Sequence, residues 1–261
     1  MKRSFVILAV YAAATFMQAV LLRLGAYREL YSAFPFYVPE LIKALVGVGI
    51  CAVTGVILYR EADLFRLRRG LLRAVAFGFV AASPMLVGFA VTRSIHVPDV
   101  AATVFLSAIF PFAEELIARG FAFGLLYWRE KWPLWAAVTA VAAVTGASHI
   151  EKGQTVLQIL GLFAVTGLGG LVFSWLLARW GSLWFPFAFH ALMNLWWNIF
   201  SVAETALGGW YPFALQLGSV LLAVAVTVRL KPKTKGVSQG SVTGDEEQGG
   251  MMRVRLVAPT M

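Results

Sequence analysis

The sequence predicts an all-α fold, a polytopic membrane bundle of about eight transmembrane helices. Three observations carry this expectation. Of the 261 residues, 60% are hydrophobic and only 13% are charged, against roughly 25% charged in soluble domains. Mean hydropathy is +0.78. The apolar residues gather in runs of about 20, the length a helix needs to cross the hydrocarbon core. The net charge of +9 fits basic cytoplasmic loops and anionic lipid headgroups as partners, and no nucleic-acid partner is expected. The single cysteine, Cys51, lies in an apolar run and reads as a small buried hydrophobe; no internal disulfide can form.

The first apolar run, about Ser4 to Leu22, follows Met1-Lys2-Arg3. No small-residue cleavage site follows it, so it reads as a first membrane helix and not as a signal peptide. A short polar and aromatic link carries Arg23, Arg28 and Glu29. The second helix spans about Tyr37 to Tyr59, and Glu40 and Lys43, three apart, are expected to pair at the interface. Residues 60–73 form a basic amphipathic stretch, with five arginines among Leu64, Phe65, Leu67, Leu71 and Leu72, and are expected on the membrane surface. The third helix covers about Ala74 to Thr92, and His96 falls in the solvated loop after it.

The fourth helix runs from about Val100 to Trp128, the fifth from Pro133 to His149. The sixth covers about Thr155 to Ala178, with Gly161, Gly167, Gly169 and Gly170 permitting close helix contact. The seventh covers about Ser182 to Ala203 and the eighth about Trp210 to Val228. From Lys231 to Met261 the composition turns polar and loses apolar periodicity, which predicts a disordered tail. The chain therefore divides into N-terminal helices with the basic segment (1–99), a central block (100–203), a last membrane helix (204–230) and the tail (231–261). An even helix count puts both termini on one side. Lys2, Arg3, the arginines of 60–73, Arg129, Lys131, Arg179, Arg229, Lys231, Lys233 and Lys235 share that side. By the positive-inside rule both termini are expected in the cytoplasm.

The fourth helix breaks its own pattern. Pro111-Phe112-Ala113-Glu114-Glu115-Leu116-Ile117-Ala118-Arg119-Gly120 puts three charges within six residues of an apolar run. Each costs about 2.5–3.5 kcal/mol at the bilayer centre on insertion scales, so partners or a wet cavity must receive them. Glu115 and Arg119, four apart, share a face and can pair. Glu114 is turned about 100° away, which leaves it free for chemistry.

Two further places interrupt the apolar pattern. Ser148-His149 ends the fifth helix, and His190 with Asn194 shares one face of the seventh. Counted at 1.5 Å per residue, Glu114, His149, His190 and Asn194 lie about 20, 24, 12 and 18 Å above the cytoplasmic end. Helix tilt could bring them into one cavity. A carboxylate with an imidazole suits activation of a water molecule, and a second histidine with an amide suits an oxyanion. Together they describe peptide hydrolysis without a covalent intermediate. The same residues could hold a divalent metal such as zinc, through Glu114, His149 and His190, and spacing does not separate the two. A proton relay or transporter, and helix packing alone, are the competing readings.

Glu114-Glu115-x-x-x-Arg119, then His149, then His190-x-x-x-Asn194 resembles the CPBP family: CAAX prenyl proteases of the Rce1 type and related bacteriocin-processing and immunity proteins, also called the Abi family. The likeness spans about Val100 to Ala203 and includes the stretch from Gly181-Ser182-Leu183-Trp184 to Asn194. The family's middle motif commonly reads FxxxH, whereas Thr145 stands at the Phe position before His149. The resemblance implies an intramembrane endopeptidase acting on a peptide or protein, with or without a prenyl group. It implies that Glu114 and His149 activate water, that His190 and Asn194 hold the oxyanion, and that Glu115 and Arg119 support the site. Members have been described both as metalloproteases and as metal-independent glutamate proteases. A non-proteolytic immunity or binding protein on the same scaffold is the alternative.

Overall fold

The computed structural model describes residues 2–23, 28–60, 63–67, 70–150, 153–203 and 207–230. Among them it is all helical: α1 (Lys2–Arg23), α2 (Arg28–Ala33), α3 (Tyr37–Tyr59), α4 (Leu71–Ala81), α5 (Ser83–Thr92), α6 (Val100–Arg129), α7 (Leu134–Ala147), α8 (Val156–Trp180), α9 (Trp184–Ile199) and α10 (Trp210–Leu230). The tail expected to be disordered lies outside the described residues. So do Arg68 and Arg69 of the basic stretch.

Among the described residues, four helices are each long and apolar enough to cross a membrane: α3, α6, α8 and α10. A fifth is counted if α4 and α5 make one span. With 14 and 16 residues, α7 and α9 fall short of the roughly 20 that a span needs. Length among the described residues thus supports four to five spans where the hydropathy pattern predicted about eight. The outer surface is strongly apolar, with Leu72, Val91, Leu157 and Trp210 each at least 80% exposed. A water-soluble protein would not leave so many large apolar side chains open. This is an integral, multi-pass membrane protein.

The expected third helix is bent by 47° between α4 and α5. Pro84 follows the bend and has no N–H for the carbonyl of Val80. The Ser83 hydroxyl donates to Val80 O instead, at 2.8 Å. Gly78, one turn before the bend, lets α4 press on the backbone of α9. A Cβ there would lie 2.9 Å from the carbonyl carbon and oxygen of Ala188.

Of the stretch 60–73, residues 60, 63–67 and 70–73 are described, and Leu71 opens α4. Residues 63–67 form a turn that plugs the bundle. Leu64 fills the space left by Gly55, and Phe65 the space left by Gly120. The Trp184 indole N–H donates to Leu67 O at 2.7 Å, and the Arg66 guanidinium lies 3.7 Å from the Trp128 ring centroid. Leu64, Phe65 and Leu67 of the amphipathic stretch face protein, whereas Leu71 and Leu72 are exposed.

Two apolar clusters make the core. One joins α1, α3, α6 and α7 through Ile7, Tyr11, Cys51, Phe121 and Val141; Cys51 is fully buried, as expected. The other joins α4, α5, α8, α9 and α10 through Phe77, Phe89, Phe173, Phe189 and Ala223. The site lies at the seam between them.

Candidate active site

The acidic residues sit on a helix that is wound wider than usual. Asp99 caps α6, its Oδ1 accepting from Ala102 N at 3.0 Å. Residues 105–109 then form a π turn, in which Phe110 N–H reaches Phe105 O. Pro111 explains the turn. Its ring clashes with the carbonyl four residues back, and it has no N–H to donate. In the π register the next donor, to Leu106 O, would be Pro111 itself. That carbonyl accepts instead from Asn194 Nδ2 on α9, at 3.3 Å. One turn further along α9, Asn198 Nδ2 donates to Ser107 Oγ at 3.0 Å. A second π stretch, Leu116–Phe123, follows the two glutamates.

Glu114 and Glu115 part ways here. The Glu115 side chain is fully buried. Its Oε1 lies 3.4 Å from an Arg119 terminal nitrogen and 2.9 Å from His190 Nδ1. The pairing of Glu115 with Arg119 was legible in their spacing. The bond to His190 was not, since it joins residues 75 apart. A carboxylate oxygen accepts only, so His190 Nδ1 carries the proton of this bond and Nε2 faces away. Nε2 lies 3.8 Å from Glu114 Oε2, and the Glu114 side chain is 29% exposed. Phe173 of α8 stacks on the His190 ring at 4.9 Å, with the Arg119 guanidinium 5.3 Å from its centroid. This aromatic wall between two polar groups gave no sign in the sequence beyond one more Phe in an apolar helix.

A cavity of about 680 Å³ opens at this point. Glu114, Arg119, His149, His190 and Asn194 all line it, so residues from α6, from α9 and from just past the end of α7 share one space. Its walls also draw on α1, α3, α8 and α10 and are mostly apolar, with Ala14, Ile117, Val172 and Val220 among them. The block 100–203 therefore does not enclose the cavity alone. Lys43 and Tyr11 line it as well. Lys43 pairs with Glu40, as its spacing predicted, and stands over the Phe110 ring at 5.4 Å. His96, by contrast, is exposed in its loop.

His149 is held by its own helix end. Its Nδ1 lies 3.0 Å from Thr145 O and 3.1 Å from Ser148 Oγ. The carbonyl accepts only, so Nδ1–H is a donor and Nε2 holds the lone pair. The Ser148 hydroxyl donates to the same carbonyl at 2.8 Å. A serine nucleophile would need Nδ1 as its base, and that nitrogen is already a donor. Ser148 is a cap on α7.

Residues 95–196 match a family model described as type II CAAX prenyl endopeptidase Rce1-like. This Rce1-like segment is what the chain has in common with that family. The match contains Glu114, Glu115, Arg119, His149, His190 and Asn194, and it makes this segment similar to intramembrane CAAX peptidases. Neither the curated proteins nor the solved structures contain a match to the chain. Among the described residues no three His, Cys, Asp or Glu side chains form a group that could hold a metal ion. His149 and His190 each give Nδ1–H to a protein acceptor, which leaves Nε2 as the nitrogen that carries the lone pair in the neutral ring. As placed, Glu114, His149 and His190 do not form such a group.

Proposed function

We propose that the Rce1-like domain hydrolyses a peptide bond within the membrane with a water molecule activated by Glu114. One observation carries this reading: Glu114 presents its carboxylate to the cavity beside His190 Nε2, while its neighbour Glu115 is fully buried. The 3.8 Å between Glu114 Oε2 and His190 Nε2 is too long for a direct bond, and both atoms are in reach of one shared water. Glu114 accepts the water's proton as the oxygen attacks the carbonyl carbon. His149, with its lone pair on Nε2, accepts the water's second hydrogen bond and orients it. His190, when protonated on both nitrogens, donates from Nε2 to the developing oxyanion. Asn194 has a second amide hydrogen beyond the one given to Leu106 O, and it supplies the other donor. Glu114 then passes its proton to the leaving amine. Glu115 and Arg119 hold His190 in place.

The substrate is a peptide or protein segment reaching the site from the bilayer, and both termini of the enzyme face the cytoplasm. The test is cleavage of a farnesylated peptide ending in a CAAX tetrapeptide, in proteoliposomes, with the unprenylated peptide alongside. Glu114→Gln is expected to lower turnover by about 10²–10⁴, the usual contribution of a general base. Undiminished turnover removes Glu114 from the chemistry.

A further inference from the structure

Tyr11 is a buried polar group that the chemistry above does not use. It lies on α1, outside the Rce1-like segment, is 1% exposed and lines the cavity. Its hydroxyl is 2.8 Å from Thr145 Oγ1 and 3.3 Å from Val141 O. The Thr145 hydroxyl donates to Val141 O at 3.0 Å. The two hydroxyls and the Val141 carbonyl form one hydrogen-bonded cluster in which Tyr11 and Thr145 share the shortest bond.

Thr145 is also the residue that fixes His149. In a continued helix its carbonyl would take the N–H of residue 149. That N–H goes to Gly146 O instead, at 3.3 Å. The vacated Thr145 carbonyl takes His149 Nδ1–H and the Ser148 hydroxyl. Thr145 is thus gripped at both ends: by Tyr11 at its side chain and by His149 at its carbonyl. A Phe here, as in the family motif, would give the Tyr11 hydroxyl no such partner.

We propose that Tyr11 is a positioning residue: through Thr145 it holds the end of α7 in the conformation that keeps the proton on His149 Nδ1 and the lone pair on Nε2. The proposal deepens the peptidase reading, on which its catalytic consequence rests. Its structural part does not depend on turnover.

The experiment is ¹⁵N spectroscopy of histidine-labelled protein in lipid nanodiscs, where the two neutral imidazole tautomers give distinct nitrogen shifts. A His149→Asn variant identifies the signal. Wild-type protein is expected to show the Nδ1–H tautomer at His149. Tyr11→Phe and, from the other side of the contact, Thr145→Val are expected to shift the tautomer ratio about fivefold, the equivalent of one neutral hydrogen bond. Thr145→Ser, which keeps the hydroxyl, is expected to match wild type. With the farnesylated peptide, kcat falls about fivefold in Tyr11→Phe while KM stays within about twofold. A wild-type His149 spectrum in Tyr11→Phe, or in a folded Thr145→Val, overturns the proposal. Absence of cleavage by wild-type protein counts against the peptidase reading and leaves the spectra to decide on Tyr11.

Discussion

Replacing Glu115 with Gln separates what holds the site from what reacts in it. The Glu115 and Arg119 side chains are 0% and 3% exposed, and their closest charged atoms are 3.4 Å apart. At an effective dielectric near 20, two unit charges at that distance attract by about 5 kcal/mol. The amide keeps an oxygen to accept from His190 Nδ1, so that bond survives in weaker form. Arg119 is left as a buried cation without its counter-charge, and its Nε already lacks a partner. Breaking a buried pair by removing one member costs about 3–5 kcal/mol, and that is the loss expected for Glu115→Gln in reversible unfolding from mixed micelles. Glu115→Leu combined with Arg119→Met takes away both charges and is expected to recover most of the loss, since apolar replacement of a buried pair is close to neutral. A Glu115→Gln loss below about 1 kcal/mol, or a double variant that sums the two single losses, refutes the argument. Glu114→Gln is the contrast: among the described residues no side chain lies within hydrogen-bond reach of that partly exposed carboxylate, so it is expected to keep stability while losing turnover.

Gly78→Ala would put a Cβ 2.9 Å from the backbone of Ala188, two residues before His190. Backbone cannot yield as a side-chain tip can, so a loss of about 1–3 kcal/mol is expected in the same unfolding assay, together with reduced cleavage as His190 shifts. Outside the span, Glu130 accepts from the Tyr59 hydroxyl and, at 3.0 Å, from that of Ser4. These bonds, the Tyr59 one foremost, hold its carboxyl below the usual carboxylate range against a smaller opposing effect of burial. A depressed folded value means the stabilisation is complete above the unfolded value of about 4.3 and is lost as pH falls through the folded one. Thermal midpoints between pH 7 and 3 should therefore fall less steeply on the acid side in Glu130→Gln than in wild type.

The span boundaries were legible because one residue type decides each of them. Tyr37–Tyr59 and the starts at Val100 and Trp210 are placed as hydropathy places them. The bend at Ala82 was missed because a bent pair and a straight span have the same hydropathy. The packing of 63–67 was not legible because an apolar face looks the same whether lipid or protein covers it; Gly55 and Gly120, which make its sockets, lie in other parts of the chain. At the site, helical spacing exposed the Glu115–Arg119 pair and the shared face of His190 and Asn194. It could not show that Glu115 also holds His190, that Phe173 backs the imidazole, or that Tyr11 touches Thr145, because those contacts depend on how separate helices meet.

A common cause runs through the parts that spacing left hidden. A membrane offers no water to a backbone carbonyl that loses its helical donor, and each such group needs another partner. Pro111 removes the donor for Leu106 O, and Asn194 takes its place. The end of α7 removes the donor for Thr145 O, and His149 takes its place. Pro84 removes the donor for Val80 O, and Ser83 takes its place away from the cavity. Two of the four side chains assigned to the chemistry are therefore oriented by carbonyls that broken helices leave over. A proline or a helix end next to a lone polar residue is a signal a sequence does carry. In this chain Pro111 stands three residues before Glu114, and the end of α7 two residues before His149. At Asn194 and His149 the irregular backbone aims the polar side chain.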